Sequence, residues 1–191
     1  HFHNVLCLSE AKGMDITMHV YTQEDCVQQN LPENLMNRVL VLPENETGQL
    51  FFCQKDVGDA LQTVSLKTGE VAWCRKQDVM GLLRPELLPN SAKLQLSQIR
   101  PADAADLSEH TPEYSGYSFL PDGRYAAGVW LCSPEEVRDY VQMQKDYQHR
   151  VLICDRDDFA VMEIVEGKLI FPSEQDLQAF PQQPEGGIQM G

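Results

Sequence analysis

The stretch from Ser133 to Phe171 constrains the fold most, because every local signal within it agrees. Ser133-Pro134-Glu135-Glu136 has the form of a capping box. It offers a hydroxyl to accept from free amides, proline at the first helical position, and a carboxylate placed to reach back to the cap amide. Val137, Tyr140, Val141 and Tyr147 then recur at helical spacing, while Arg138, Asp139, Gln142, Lys145 and Asp146 fill the other side. The spacing predicts an amphipathic helix over 134–148, about four turns long with one buried face. Val151-Leu152-Ile153-Cys154, Phe159 to Val165 and Lys168-Leu169-Ile170-Phe171 follow, separated by the turns Asp155-Arg156-Asp157-Asp158 and Glu166-Gly167. That pattern predicts a three-strand meander for the helix to pack on.

The rest of the chain reads as antiparallel sheet. Val5-Leu6-Cys7-Leu8 and the alternating run Asp15 to Thr22 are strand candidates, and the polar segment Glu24 to Asn37, interrupted by Pro32, allows only short helices. Val39 to Leu42 with Leu50 to Cys53, and Leu61 to Leu66 with Val71 to Cys74, flank turn residues and predict two hairpins. Asp78 to Leu88 suits a short helix limited by Gly81 and Pro85, and the alternation of Leu94 and Leu96 predicts a strand over Lys93 to Ile99. Tyr114 to Leu120 and Tyr125 to Cys132 flank Pro121-Asp122-Gly123-Arg124, a tight-turn sequence. Ser173-Glu174-Gln175-Asp176 caps a short helix bearing Leu177 and Phe180.

The expected fold class is therefore α+β, mainly antiparallel, with one principal helix at 134–148 on a C-terminal meander. Residues 4–99 form a mainly β half, 100–113 a linker or mobile loop rich in small, acidic and proline residues, and 114–180 an α+β half. Residues 181–191, dominated by Pro, Gln and Gly, are expected to be a disordered tail. At 191 residues, one compact domain is the alternative organisation.

Charge is the informative bulk property: 29 acidic against 15 basic residues give −14. Such a chain repels phosphate backbones and anionic membrane surfaces unless it carries a basic patch, and the densest basic group is Arg75-Lys76. Direct nucleic-acid and membrane binding are thus disfavoured. Six cysteines are dispersed rather than paired as Cys-x-x-Cys, which fits reduced thiols in a cytoplasmic protein better than a disulfide framework or a metal site. In that setting the Asn45-Glu46-Thr47 sequon is a polar turn.

No short motif of nucleotide binding, zinc hydrolysis or a nucleophile elbow is present, so no cofactor or metal is implied and no catalytic residue is assigned. Asp155, Asp157 and Asp158 are the densest acidic cluster, with a bland reading as turn-capping residues. Tyr114, Tyr117 and Tyr125, with Phe119 and Trp130, crowd one hairpin. Alternation assigns half of these aromatics to a core and leaves the rest for recognition. The expectation is a non-enzymatic binding module, of the inhibitor, immunity or adaptor kind, whose Asp155, Asp157, Asp158, Tyr114, Tyr117 and Tyr125 dock on a basic protein partner. Mimicry of nucleic acid by ordered carboxylates is a special case of it. The alternative is an enzyme or small-molecule binder using those aspartates and His110 in a pocket between the halves.

Overall fold

The computed structural model describes residues 19–172. Two five-stranded antiparallel sheets and two α-helices account for the regular structure among them. The chain divides into two compact units, one through Ala92 and one from Lys93. Val5 to Leu8, Cys7, the helix after Ser173 and the 181–191 tail lie outside the described residues. Of the strand candidate over Asp15 to Thr22, His19 to Thr22 are described and form no strand.

In the first unit, β1 (Val39–Val41), β2 (Leu50–Asp56), β3 (Ala60–Ser65), β4 (Val71–Arg75) and β5 (Gly81–Leu82) pair in the order β4-β3-β2-β1-β5. Both expected hairpins are present. One sheet face buries Leu40, Leu42, Phe51, Cys53 and Leu61 together with Leu35, Val79 and Leu82, each aliphatic contributing about 1.5–3 kcal/mol. The helix expected over Asp78 to Leu88 is not formed. Instead, 3-10 turns at Lys76–Asp78 and Pro85–Leu87 flank β5. Pairing decided this: Met80 and Leu83 amides donate to Val41 and Val39 carbonyls at 2.8 and 3.0 Å, satisfying the edge of β1 that a helix would leave open. Beneath the sheet edge Asp56, whose side chain is only 4% exposed, holds Lys76 Nζ at 2.7 Å. It also accepts from the Leu35 and Gly58 amides at 2.8 and 2.9 Å.

The boundary between the units falls inside α1 (Asn90–Ser97), most of which belongs to the second unit and leads into β6 (Tyr114–Phe119), β7 (Val129–Leu131), α2 (Pro134–Gln144), β8 (Arg150–Asp155), β9 (Ala160–Val165) and β10 (Lys168–Phe171). The sheet order is β10-β9-β8-β6-β7. The strand expected over Lys93 to Ile99 is a helix followed by a turn. Its buried apolar residues are Ala92, Leu96 and Ile99, at i, i+4 and i+7, a helical stripe that the Leu94–Leu96 alternation obscures. α2 is shorter than 134–148: it ends at Gln144, and the Tyr147 and Gln148 amides both turn back to the Gln144 carbonyl. Val137, Tyr140 and Val141 pack on Val151, Ile153 and Ile164 of the meander and on Val129 and Leu131 of β7.

Three polar side chains of α2 and its terminal turn carry α1. Tyr140 Oη donates to the Ser97 carbonyl at 2.8 Å, Gln144 Nε2 to Leu96 O at 2.9 Å and Gln148 Nε2 to Lys93 O at 2.7 Å. Spaced by four residues, they share one helical stripe and satisfy carbonyls at the end of a helix too short to be stable alone. Gly116 makes room for this arrangement. A Cβ there would stand 2.7 Å from Tyr140 Cε1, so the ring lies directly on the strand.

The capping box is only half realised. Ser133 Oγ accepts from the Glu136 amide at 3.2 Å, as expected. The Glu136 carboxylate, however, accepts from the Cys132 and Ala105 amides, each at 2.7 Å, and lies 3.3 Å from Arg100 Nη2. Arg100 donates in turn to the Trp130 and Ala105 carbonyls at 2.8 and 2.9 Å. The 100–113 stretch is thereby tied to the β7–α2 junction within the second unit.

Candidate binding face

The face of the second sheet turned away from α2 gathers most of the aromatic residues singled out in the sequence. Alternation along β6 sends Gly116 and Ser118 to Tyr140, while Tyr117 and Phe119 go to the opposite side. After the turn at Pro121–Arg124, the chain makes a single bridge, Tyr125 to Phe119, and then resumes pairing at Val129. Tyr125 is thus brought back over its own hairpin, with its ring 5.0 Å from Phe119 and 6.0 Å from Tyr117, the latter edge-on. Gly128 leaves space for the Tyr117 ring, since a Cβ there would lie 2.4 Å from Tyr117 Cε1. The second strand of this hairpin is consequently only Val129–Leu131 rather than the expected Tyr125 to Cys132.

Cross-strand neighbours complete the face. Phe119 opposes Arg150 and Tyr117 opposes Leu152, and the Arg150 guanidinium sits 4.8 Å from the Phe119 ring centre while Nε donates to Glu163 Oε1 at 2.8 Å. Trp130, opposite Ser115, is 56% exposed and Tyr125 54% exposed. The Tyr117 and Tyr125 hydroxyls have no hydrogen-bond partner among the described residues, so both are available to one from outside.

The remaining candidates fall elsewhere. Tyr114 points to the helix side, half-buried against Val137 and its neighbours, and pairs in register with Asp155. Asp155 Oδ1 accepts from the Asp157 and Phe159 amides at 2.9 and 3.0 Å, and its carbonyl accepts from Asp158, a residue at φ +64°. This carboxylate therefore organises the turn from within. Asp157 and Asp158 are exposed, and Arg156 lies 3.6 Å from Glu113. The six residues thus form two groups, Tyr114 with the aspartates at one end and Tyr117 with Tyr125 further along the strand.

His110 closes its own turn, with Nδ1 3.3 Å from the Asp106 carbonyl. Among the described residues no group of three or more His, Cys, Asp or Glu side chains is arranged to hold a metal ion. Five cysteines are free thiols, and Cys7 is outside the described residues. Burial pushes the thiols of Cys26, Cys53, Cys74 and Cys154 up, Cys53 to about 12, the opposite of an activated nucleophile. No helix among the described residues is long and apolar enough to cross a membrane.

The sequence does not single out Arg150 and Glu163 as members of this face. Their signal is the period-two alternation of β8 and β9, legible only once the register of these strands with β6 is known. Compared with protein-family models, curated proteins and solved structures, the chain matches none.

Proposed function

We propose that this protein is a non-enzymatic binding module that docks on a basic protein partner, with the aromatic face of the second sheet as the anchor. The carrying observation is the exposed Tyr125 and Trp130 on the same sheet face as the half-buried Tyr117, whose ring Tyr125 meets edge-on. Large amphipathic rings on rigid elements provide contact area at small entropic cost and are the residues most enriched at binding hot spots. The net charge of −14 favours a cationic partner and speeds its approach. The exposed Asp157 and Asp158 supply steering, and Asp155 supplies the turn that presents them. An inhibitor, immunity or adaptor role in the cytoplasm fits this chemistry, and mimicry of nucleic acid is the form it takes if the partner is a DNA- or RNA-binding protein.

The test compares the wild-type chain with Tyr125→Ala/Trp130→Ala and with Trp73→Ala, an equally exposed tryptophan on β4. A basic protein captured by wild type and Trp73→Ala, lost from the double variant and released at high salt, supports the reading. Equal capture by all three chains refutes the assigned face. With the partner purified, Asp157→Lys/Asp158→Lys should slow association and flatten its salt dependence, because the Debye length contracts from about 10 Å at 0.1 M to about 3 Å at 1 M.

A further inference from the structure

The first unit contains a cavity of about 180 Å³ whose chemistry differs from that of the chain around it. Its lining combines the apolar residues Leu31, Met80 and Leu82 with the neutral polar residues Gln29 and Asn30 and with Arg38. Cys26 and Gly81 also belong to the lining, and they meet so closely that a Cβ on Gly81 would stand 2.6 Å from Cys26 Sγ. Gln23 braces that side, Nε2 donating to the Met80 carbonyl at 2.6 Å.

Two facts about charge set the ligand class. Every other arginine of the chain lies no more than 3.9 Å from a carboxylate, whereas Arg38 has no carboxylate partner among the described residues. The described lining also contains no Asp or Glu, although the chain carries 29 acids against 15 bases. An arginine with no carboxylate partner among the described residues of so acidic a protein, beside apolar and neutral polar residues, is suited to an anion from outside. Its planar fork matches a carboxylate in particular.

We infer that this cavity binds a small carboxylate with a short apolar body, the acid group on Arg38 and the hydrocarbon against Leu31, Met80 and Leu82. The volume lies below the roughly 300–1,000 Å³ of sites for drug-sized ligands, which limits the occupant to a molecule of amino-acid size or to the terminal residue of a peptide. A free aliphatic acid and a peptide C-terminus share this chemistry.

The experiment titrates the isotope-labelled full chain with 4-methylpentanoate, with its neutral isostere 4-methylpentanamide, and with the peptide Gly-Gly-Ala-Leu bearing a free or an amidated C-terminus. Backbone and arginine side-chain NMR signals report binding. The expected result is saturable shifts at Arg38, Gly81 and Leu82 with millimolar acid, and binding of the amide weaker by about tenfold or more. Arg38→Met should weaken the acid by a similar factor at an unchanged melting temperature, since Arg38 surrenders no ion pair among the described residues. Tighter binding of the free-terminus peptide than of 4-methylpentanoate identifies a peptide end as the source, and its exclusion identifies a free acid. Absence of saturable shifts for both acids, equal binding of acid and amide, or unchanged affinity in Arg38→Met overturns the inference.

Discussion

Two carboxylates, Glu136 and Asp56, occupy positions where charge is buried and fully partnered. Glu136 → Gln keeps the shape but weakens acceptance from two amides and removes the ion pair with Arg100. It should cost about 2–3 kcal/mol in urea unfolding, against about 1 kcal/mol for Ser133→Ala, which removes one cap bond. Burial alone would raise Asp56, but its bonds to Lys76 and to the Leu35 and Gly58 amides outweigh burial and hold it below the usual carboxylate range. Its folded value therefore lies under its unfolded one. The stability it contributes is complete above about pH 4 and is lost as pH falls through the lowered folded value. Asp56→Asn should cost about 2 kcal/mol at neutral pH, less than a wholly buried pair because Lys76 remains partly exposed, and should flatten the acid limb of the unfolding midpoint. A wild-type midpoint unchanged down to pH 2 would contradict this assignment. Asp155 is different again: Asp155→Ala strips two turn amides of their acceptor and should cost about 1 kcal/mol, whereas Asp157→Ala should cost almost nothing.

At the scale of elements, the stability of the second unit depends on how closely α2 approaches β6. Gly116→Ala forces a methyl against the Tyr140 ring and should lower stability by about 1–3 kcal/mol, with the near-ultraviolet tyrosine signal altered. Val141→Asp places a carboxylate in the cluster with Val151 and Ile164 and should cost several times the effect of the Ser133 cap. The sequence made the meander, both hairpins of the first sheet and the start of α2 legible, since in each the apolar period and the turn residues agree. It hid what long-range partners decide. Gln144 and Gln148 carry no signal in the sequence, because their acceptors, carbonyls of α1, are about fifty residues away. Glu136 read as a cap because Ala105 and Arg100 are equally invisible locally. Gly81 read as a helix weakener because the thiol beside it, on Cys26, belongs to another segment. The candidate site suffered the same loss: alternation along β6 separates Tyr114 from Tyr117, but only strand register brings Arg150 opposite Phe119 and Leu152 opposite Tyr117.

At the scale of the whole molecule, the five cysteines among the described residues are free thiols, so their redox state has little hold on the fold. Adding reductant should leave the melting temperature unchanged, and non-reducing mass spectrometry should find Cys26, Cys53, Cys74, Cys132 and Cys154 unpaired. A paired species among them would contradict the fold as well as the chemistry, since Cys53 sits within the first unit's core. The position of Tyr140 has a consequence in time rather than in energy. Its ring rests on Gly116 while its hydroxyl lies within hydrogen-bond distance of Ser118 Oγ and of the Ser97 carbonyl. A half-turn of that ring must displace the strand or the helix, so it waits for the two to separate briefly, and surrounding atoms packed at crystalline density give little way. The ring should flip slowly enough for its two edges to give distinct proton resonances, while Tyr125, half in solvent, averages freely. Tyr140 then serves as a built-in clock for the breathing of the helix against the sheet.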